Sequence, residues 1–379
     1  MGDGVEVVRV ERRASLEERE FLRLPFDIYA DCRQWVPWFN SDVRHLVRKD
    51  HPFFDHNDGA YFVARKEGSA RGRIGVFENR SYNKTHNLRH AQFYFLDLYE
   101  DAEVAAALIE AASVWAGERG LTALTGPLGF GAVSGGGVLI EGFEHRSAMT
   151  MMAYNHPYYP RLLEELGFGS YLDLYSYHID SERFRLPDRV RSVAEKVLKR
   201  GSFKVLEFQN KREIRAIAKE IGSVYNRSLS DHPENYEMTQ GELDRVTKEL
   251  MLVADPSLIK ILTYRDKIAG FLFGFPDLSD ALQRSRGRIN PLTLIDIMGE
   301  FKRTKGLIIN GAGILPEYQR LGGNALLYYE LERTIHSDGR FADADLTQIA
   351  QTTGLMLSDI DSIGATQRYK VHRVFTRPV

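Results

Sequence analysis

The chain has 379 residues, 43% hydrophobic and 27% charged, with 50 basic side chains against 52 acidic ones and a formal net charge of −2. That balance is ordinary for a folded globular protein, and it supplies no global field for nucleic acid or an acidic membrane. A single core rarely grows beyond about 250 to 300 residues, so two domains are expected. The lone cysteine, Cys32, excludes an internal disulfide and a cysteine-based zinc site. His51 and His56 in "HPFFDH" have no third ligand at a supporting spacing, so no metal is expected. No apolar stretch approaches the roughly 18 residues of a spanning helix, and the first residues lack the apolar core of a leader. The expectation is a cytoplasmic protein without an integral membrane segment, its oligomeric state left open.

In chain order, "AYFVARKEGSARGRIGVF" (60–77) alternates apolar and polar residues about a Gly-Ser turn, the pattern of a β-hairpin with one buried face. "AQFYFLDLY" (91–99) reads as a strand. From Asp101 to Gly120 the apolar residues Val104, Leu108, Ile109, Ala112 and Trp115 recur at helical spacing, with Asp101 as cap. "LTALTGP" gives a short strand into the glycine-rich loop "GPLGFGAVSGGGVLIEGF", followed by the helix "YYPRLLEELGF" and the strand "YLDLYSYHI". The segment 180–202 is the junction and the first helix of a second half. There the series recurs: a hairpin in "SLIKILTYRDKIAGFLFGF", a strand in "GLIINGAGIL" and a helix in "NALLYYELERTIHSDG". A strand in "ADADLTQIA", a short helix in "TGLMLSDIDSIGA" and a terminal strand in "RYKVHRVFTRPV" complete it. A duplicated α/β (α+β) fold is expected, with domains 1–182 and 183–379; one large α/β domain is the alternative.

The stretch "GILPEYQRLGGNALLYYELE" (313–332) runs from a strand end through a glycine-containing loop into a helix. Unpaired N–H groups at a helix start, with the helix dipole, favour an anion by roughly 0.3 to 1 kcal/mol each. Neither a P-loop nor a dinucleotide fingerprint is present. The segment resembles the signature of the GNAT superfamily of acyl-CoA-dependent N-acyltransferases. The resemblance implies two tandem GNAT-like domains, each a mixed, mostly antiparallel twisted sheet flanked by helices. It implies acyl-CoA or acetyl-CoA as co-substrate. Gln319, Arg320, Gly322, Gly323, Asn324 and Ala325 would then hold the pyrophosphate, and Ile314 and Leu315 the pantetheine arm. Asn324 departs from the family's small residue at that position.

In the first half the corresponding loop is Glu100-Asp101, whose carboxylates would repel a pyrophosphate, so this half resembles a GNAT domain without its cofactor loop. "HPFFDHNDGAYFVARKEG", "ALTGPLGF" and "MMAYNHPYYPRLLEELGF" resemble a bacterial group related to bacterial ceramide synthases, which transfer a fatty acyl chain to a sphingoid amine. The implied acceptor is a small-molecule or lipid amine.

Aminolysis of a thioester needs a neutral amine, hence a base. The glutamate usual in the family's strand is replaced by Asn310, and the tyrosine usual on its last helix by Ile360. Glu317, Asp345 and Tyr369 are the remaining catalytic candidates, each with a structural reading beside it. Tyr154, Asn155 and Tyr158, with His156 and Tyr159, form a candidate acceptor pocket; the alternative is a helix start at Pro157 with core-packed tyrosines. A non-catalytic sensor or scaffold that keeps the cofactor loop is the rival reading. Aminoacyl transfer from a charged tRNA is disfavoured by the missing basic excess.

Overall fold

Strand-forming alternation accounts for most of the sheet, and a computed structural model describes residues 4–130, 134–229, 232–233, 235–364 and 367–379. Its strands are β1 (Glu6–Arg9), β2 (Asp58–Lys66), β3 (Ser69–Glu78), β4 (His90–Leu98), β5 (Ala123–Gly126), β6 (Val138–Glu141), β7 (Gly169–Asp180), β8 (Phe203–Leu206), β9 (Ile259–Tyr264), β10 (Lys267–Pro276), β11 (Gly306–Ile314), β12 (Asp343–Ala350) and β13 (Gln367–Pro378). Part of the glycine-rich loop, 131–133, lies outside the described residues, as do 365 and 366 after the last helix.

The strands join in the order β1-β2-β3-β4-β5-β13-β7-β12-β11-β10-β9-β8, with β6 beside β13. Read inward from either edge, the order repeats: four strands linked antiparallel, a fifth added parallel, and a sixth antiparallel. The two parallel pairs are β4–β5 and β11–β12. The sixth strands are exchanged. β13, from the C-terminus, pairs with β5 (Phe375↔Gly126), while β7 pairs with β12 (Ile179↔Ala344). β7 and β13 pair with each other at the centre.

Helices cover both faces. On the first half, Ala102–Gly117 buries Val104, Leu108 and Trp115 against β2 to β5, and Leu16–Ile28 buries Phe21 and Leu22 on the opposite face. On the second half, Gly323–Asp338 buries Leu326 and Leu331 on one face. Ala218–Ser228 and Gln240–Val253 bury Ile221, Val224 and Met251 on the other. Caps agree with the sequence: Asp101 accepts from the Glu103 and Val104 N–H groups, and Thr239 with Glu242 forms a reciprocal capping box. "NRSYNKTH" is also helical, over Arg80–His86, capped by Asn79.

Candidate active site

β11 and β12 pair only from Gly306↔Asp343 to Ile309↔Leu346, then part. The parting has a local cause on each strand. In β11, Asn310 and Gly311 stand opposite the single residue Phe273 of β10, and Gly311 takes φ +103°. This is a β-bulge, which bends its strand away from a straight ladder. In β12 the register shifts between Leu346 and Ile349, with Gln348 at φ +47°.

The wedge between the strands is a cavity of about 170 Å³. Asn310, Gly311 and Ala312 form one wall, Thr347 to Ala350 the other, and Thr353 and Met356 stand at the following helix, Gly354–Ile363. Its remaining lining comes from the first half and from the segment before the Gln240–Val253 helix, including His232, Asn235 and Tyr236. Gln348 ties the halves together here: its side chain accepts from the Gly136 N–H at 2.8 Å and donates to the Gly136 carbonyl at 2.7 Å. The 232–238 segment docks on the first half as well, with Tyr82 donating to the Pro233 carbonyl and His86 meeting that of Asn235.

A second cavity, of about 90 Å³ and overwhelmingly apolar, opens at the same bulge. It shares Tyr225, Met238, Asn310 and Gly311 with the wedge and runs between Ile221, Val246, Leu250 and Phe273.

At the outer end of β11, Pro316–Tyr318 makes a single 3-10 turn, Gln319 donates to the Ile314 carbonyl at 3.1 Å, and Gly322 turns the chain at φ +88° into the Gly323–Asp338 helix. Among the described residues no side chain caps this helix start. A Cβ on Gly322 would meet Val197 at 2.8 Å, and one on Gly323 would meet Leu262 at 2.6 Å. A Cβ at either position would therefore have to displace these methyl groups, and Gly322 is favoured besides by its positive φ. Leu315 is buried, and its N–H is spent on the Ala269 carbonyl at 2.9 Å. Arg320 is exposed. Asn324 donates to both oxygens of Asp359 at 2.9 Å, and Tyr328 donates to the same carboxylate at 3.2 Å. These residues, with Ala325 and Arg189, line an open hollow of about 290 Å³.

The other candidates lie elsewhere. Glu317 is on the surface, ion-paired with Arg227 at 2.8 Å, with its carboxyl held below the ordinary range by its backbone hydrogen bond and then by Arg227. Asp345 lies in the still-paired part of β12 and accepts from His178 Nδ1 at 2.9 Å, which raises the imidazole pKa. Tyr369 is near Asp345, and burial first and then that negative charge push its hydroxyl well above its ordinary value. None of the three lines the wedge. Ile360, where the family's tyrosine would stand, is buried in the core.

In the first half β4 and β5 likewise pair only from His90↔Ala123 to Gln92↔Thr125 and then split; Tyr154 and Asn155 line a cavity of about 90 Å³ there with Tyr94 to Asp97, Pro127 and Tyr159, and Tyr158 begins the following helix. Asn155 locks the loop there, accepting from the Leu139 N–H at 2.7 Å. Tyr154 donates to the Phe143 carbonyl at 3.2 Å, and Tyr158 to the Leu98 carbonyl at 2.7 Å. Tyr159 also reaches Leu98, accepting from its N–H at 2.9 Å. The sequence reading missed His232, Gln348 and the apolar cavity. Gln348 lies in a strand, "DADLTQIA", that already carries Asp343, Asp345 and Thr347, so its polarity gave no signal; the others depend on distant segments.

No family model matches the chain. Protein YghO of Escherichia coli (strain K12) is 24% identical over 95% of this chain and 93% of its own. Bacterial ceramide synthase of Caulobacter vibrioides (strain NA1000 / CB15N) is 24% identical over 98% of this chain and 97% of its own. Among solved structures, a tandem GNAT protein from the clavulanic acid biosynthesis pathway superposes with a TM-score of 0.56 at 12% identity, covering 99% of this chain and 98% of that one. The fold is thus that of tandem GNAT proteins along the whole length. Among the described residues no helix is long and apolar enough to cross a membrane, and no group of three or more His, Cys, Asp or Glu side chains is arranged to hold a metal ion.

Proposed function

We propose that this chain is an acyl-CoA-dependent N-acyltransferase, with residues 183–379 binding the thioester and residues 1–182 shaping the acceptor side. The observation that carries the reading is continuity: an uncapped helix start, a strand wedge and an apolar cavity follow one another along β11. They match the headgroup, arm and acyl chain of a thioester in order. Gln319 to Ala325 would face the pyrophosphate and the β11 end the pantetheine. The apolar cavity supports a long acyl chain, and the likeness to a bacterial ceramide synthase supports a lipid amine as acceptor. A cytoplasmic location fits such a donor.

In this reading the amine lone pair attacks the thioester carbonyl, the C–N bond forms, the C–S bond breaks, and the thiolate leaves with coenzyme A. An alkyl amine with a pKa of about 10.4 must lose its proton first, at a cost of about 4 kcal/mol at pH 7.4. His232, in the wall of the wedge, is our candidate base, because a neutral imidazole nitrogen there could accept the amine's proton. His232→Ala should lower kcat at least about a hundredfold while leaving thioester binding unchanged.

Thermal shift and thiol release with acetyl-, octanoyl- and palmitoyl-CoA across an amine panel test the proposal. Stabilisation that grows with chain length and disappears in Gly322→Glu is expected; no shift with any thioester would overturn it. Ala218→Trp, at the wall of the apolar cavity, should lower palmitoyl-CoA turnover about tenfold or more and spare acetyl-CoA. One observation favours a sensor instead: Asp359 adds negative charge beside the helix start. Binding of thioesters without thiol release would support that reading.

A further inference from the structure

The helix Pro291–Arg303 lies in the connection between β10 and β11 and has two unlike sides. Inward, Thr293 and Glu300 are buried, and Ile297 and Phe301 pack on the hydrophobic cluster that also contains Ile221, Met251 and Phe275. Outward, Leu292, Leu294, Ile295 and Met298 share one arc at 100° per residue and are 77%, 51%, 65% and 68% exposed. Ile289, just before the helix, is exposed too. Single exposed apolar side chains are ordinary, but a contiguous set on one helix face marks an interaction surface.

The charge around this face is as distinctive as the face itself. From Arg284 to Lys305 there are six basic side chains (Arg284, Arg286, Arg288, Lys302, Arg303 and Lys305) and two acidic ones, Asp296 and Glu300, within a chain of net charge −2. Both acids are engaged by Arg284 and Arg303. Arg286, Arg288, Lys302 and Lys305 are exposed at the two ends of the helix. A protein partner or second copy buried against such a face would have to be acidic at its rim. A bilayer with anionic headgroups meets both requirements at once: hydrocarbon for the arc, and phosphate for the flanking cations.

We propose that the Pro291–Arg303 helix seats this protein on an anionic phospholipid surface, lying in the interface with Leu292, Leu294, Ile295 and Met298 inserted. The helix is held by its inner side to the cluster that lines the apolar cavity. Seating it would therefore bring that cavity close to the bilayer, where long-chain lipids reside. The inference rests on the helix and its charges, and stands whether or not the chain transfers acyl groups.

Co-sedimentation of the full chain with phosphatidylcholine vesicles, with and without phosphatidylglycerol, tests it. Binding is expected only to the anionic vesicles, and should weaken in high salt. Arg286→Glu with Arg288→Glu should weaken binding at least about fivefold per basic residue lost. Leu292→Ser/Ile295→Ser/Met298→Ser should abolish it with the melting temperature unchanged, since these side chains contribute nothing to the core. Absence of binding to anionic vesicles, or equal binding to neutral ones, would overturn the proposal. So would a concentration-dependent dimer that the triple variant dissolves in a chain that does not bind vesicles; that result would assign the face to a second copy.

Discussion

The two strand splits are built alike and filled differently. Each opens where the fourth strand of its half carries a bulge with a positive φ, at Phe95 in β4 and Gly311 in β11. In the first half the protein's own side chains narrow the gap to a cavity of about 90 Å³, lined by Tyr94 to Asp97, Pro127, Tyr154, Asn155 and Tyr159. Tyr158 and Tyr159 bond the Leu98 backbone, Tyr29 bonds Tyr159 and Asp97, and Arg73 pairs with Asp97. Asp101 closes the helix start behind them, with Lys66 on its carboxylate. In the second half the corresponding helix start is uncapped and the gap is a cavity. A single architecture thus holds two cavities, of about 90 Å³ and about 170 Å³, and the side chains entering each split set the difference.

The comparison can be broken most severely at the centre of the sheet. A chain ending at Gly364 loses β13, hence the partner of β5, and should yield no cooperatively folded protein by circular dichroism and urea melts.

Acid should come next, and should strike the first half. Burial lowers the pKa of His51 to about 4 and that of His372, on β13, to about 3. Groups depressed in this way leave stability intact above an ordinary histidine pKa of about 6.5, and drain it as pH falls toward the folded values. All three tryptophans, Trp35, Trp38 and Trp115, lie in the first half, so their fluorescence reports on it. Urea midpoints followed that way should decline from pH 6.5 toward 4, with a shallower slope in His372→Gln.

Tyr159→Phe should cost about 1 to 3 kcal/mol by chemical denaturation, because the Leu98 N–H then stays buried without its acceptor. The smallest effect belongs to the other split. Asp359→Asn, removing a charge at the uncapped helix start, should tighten acyl-CoA binding by roughly two- to fivefold in calorimetry. Weaker binding would mean that the carboxylate orders Asn324 for the ligand.

Local pattern carried much of this fold. The hairpins β2–β3 and β9–β10, the helices Ala102–Gly117 and Gly323–Asp338, and the terminal strand all follow from alternation, spacing and caps within a dozen residues. The helix start at Gly322 was legible for the same reason. The exchange of β7 and β13 was not, since each strand has the same alternation whichever neighbour it joins. Nor was the packing role of Gly322 and Gly323, which is set by Val197 and Leu262. The helices between β8 and β9 were left unread, and the apolar cavity between them went with them. "YNHPYY" carried residue types suited to a polar pocket, and Tyr154, Asn155 and Tyr159 line a first-half cavity while the tyrosine hydroxyls also bond nearby backbone.

The crossed placement of β7 and β13 also sets an order of events during synthesis. Once Gly126 has emerged, the β5 edge lacks its β13 partner until Phe375 follows it, roughly 250 residues later. Throughout that interval the first half presents an open sheet edge, a template for pairing with another chain. Its sheet is completed only by a strand synthesised after β8 to β12.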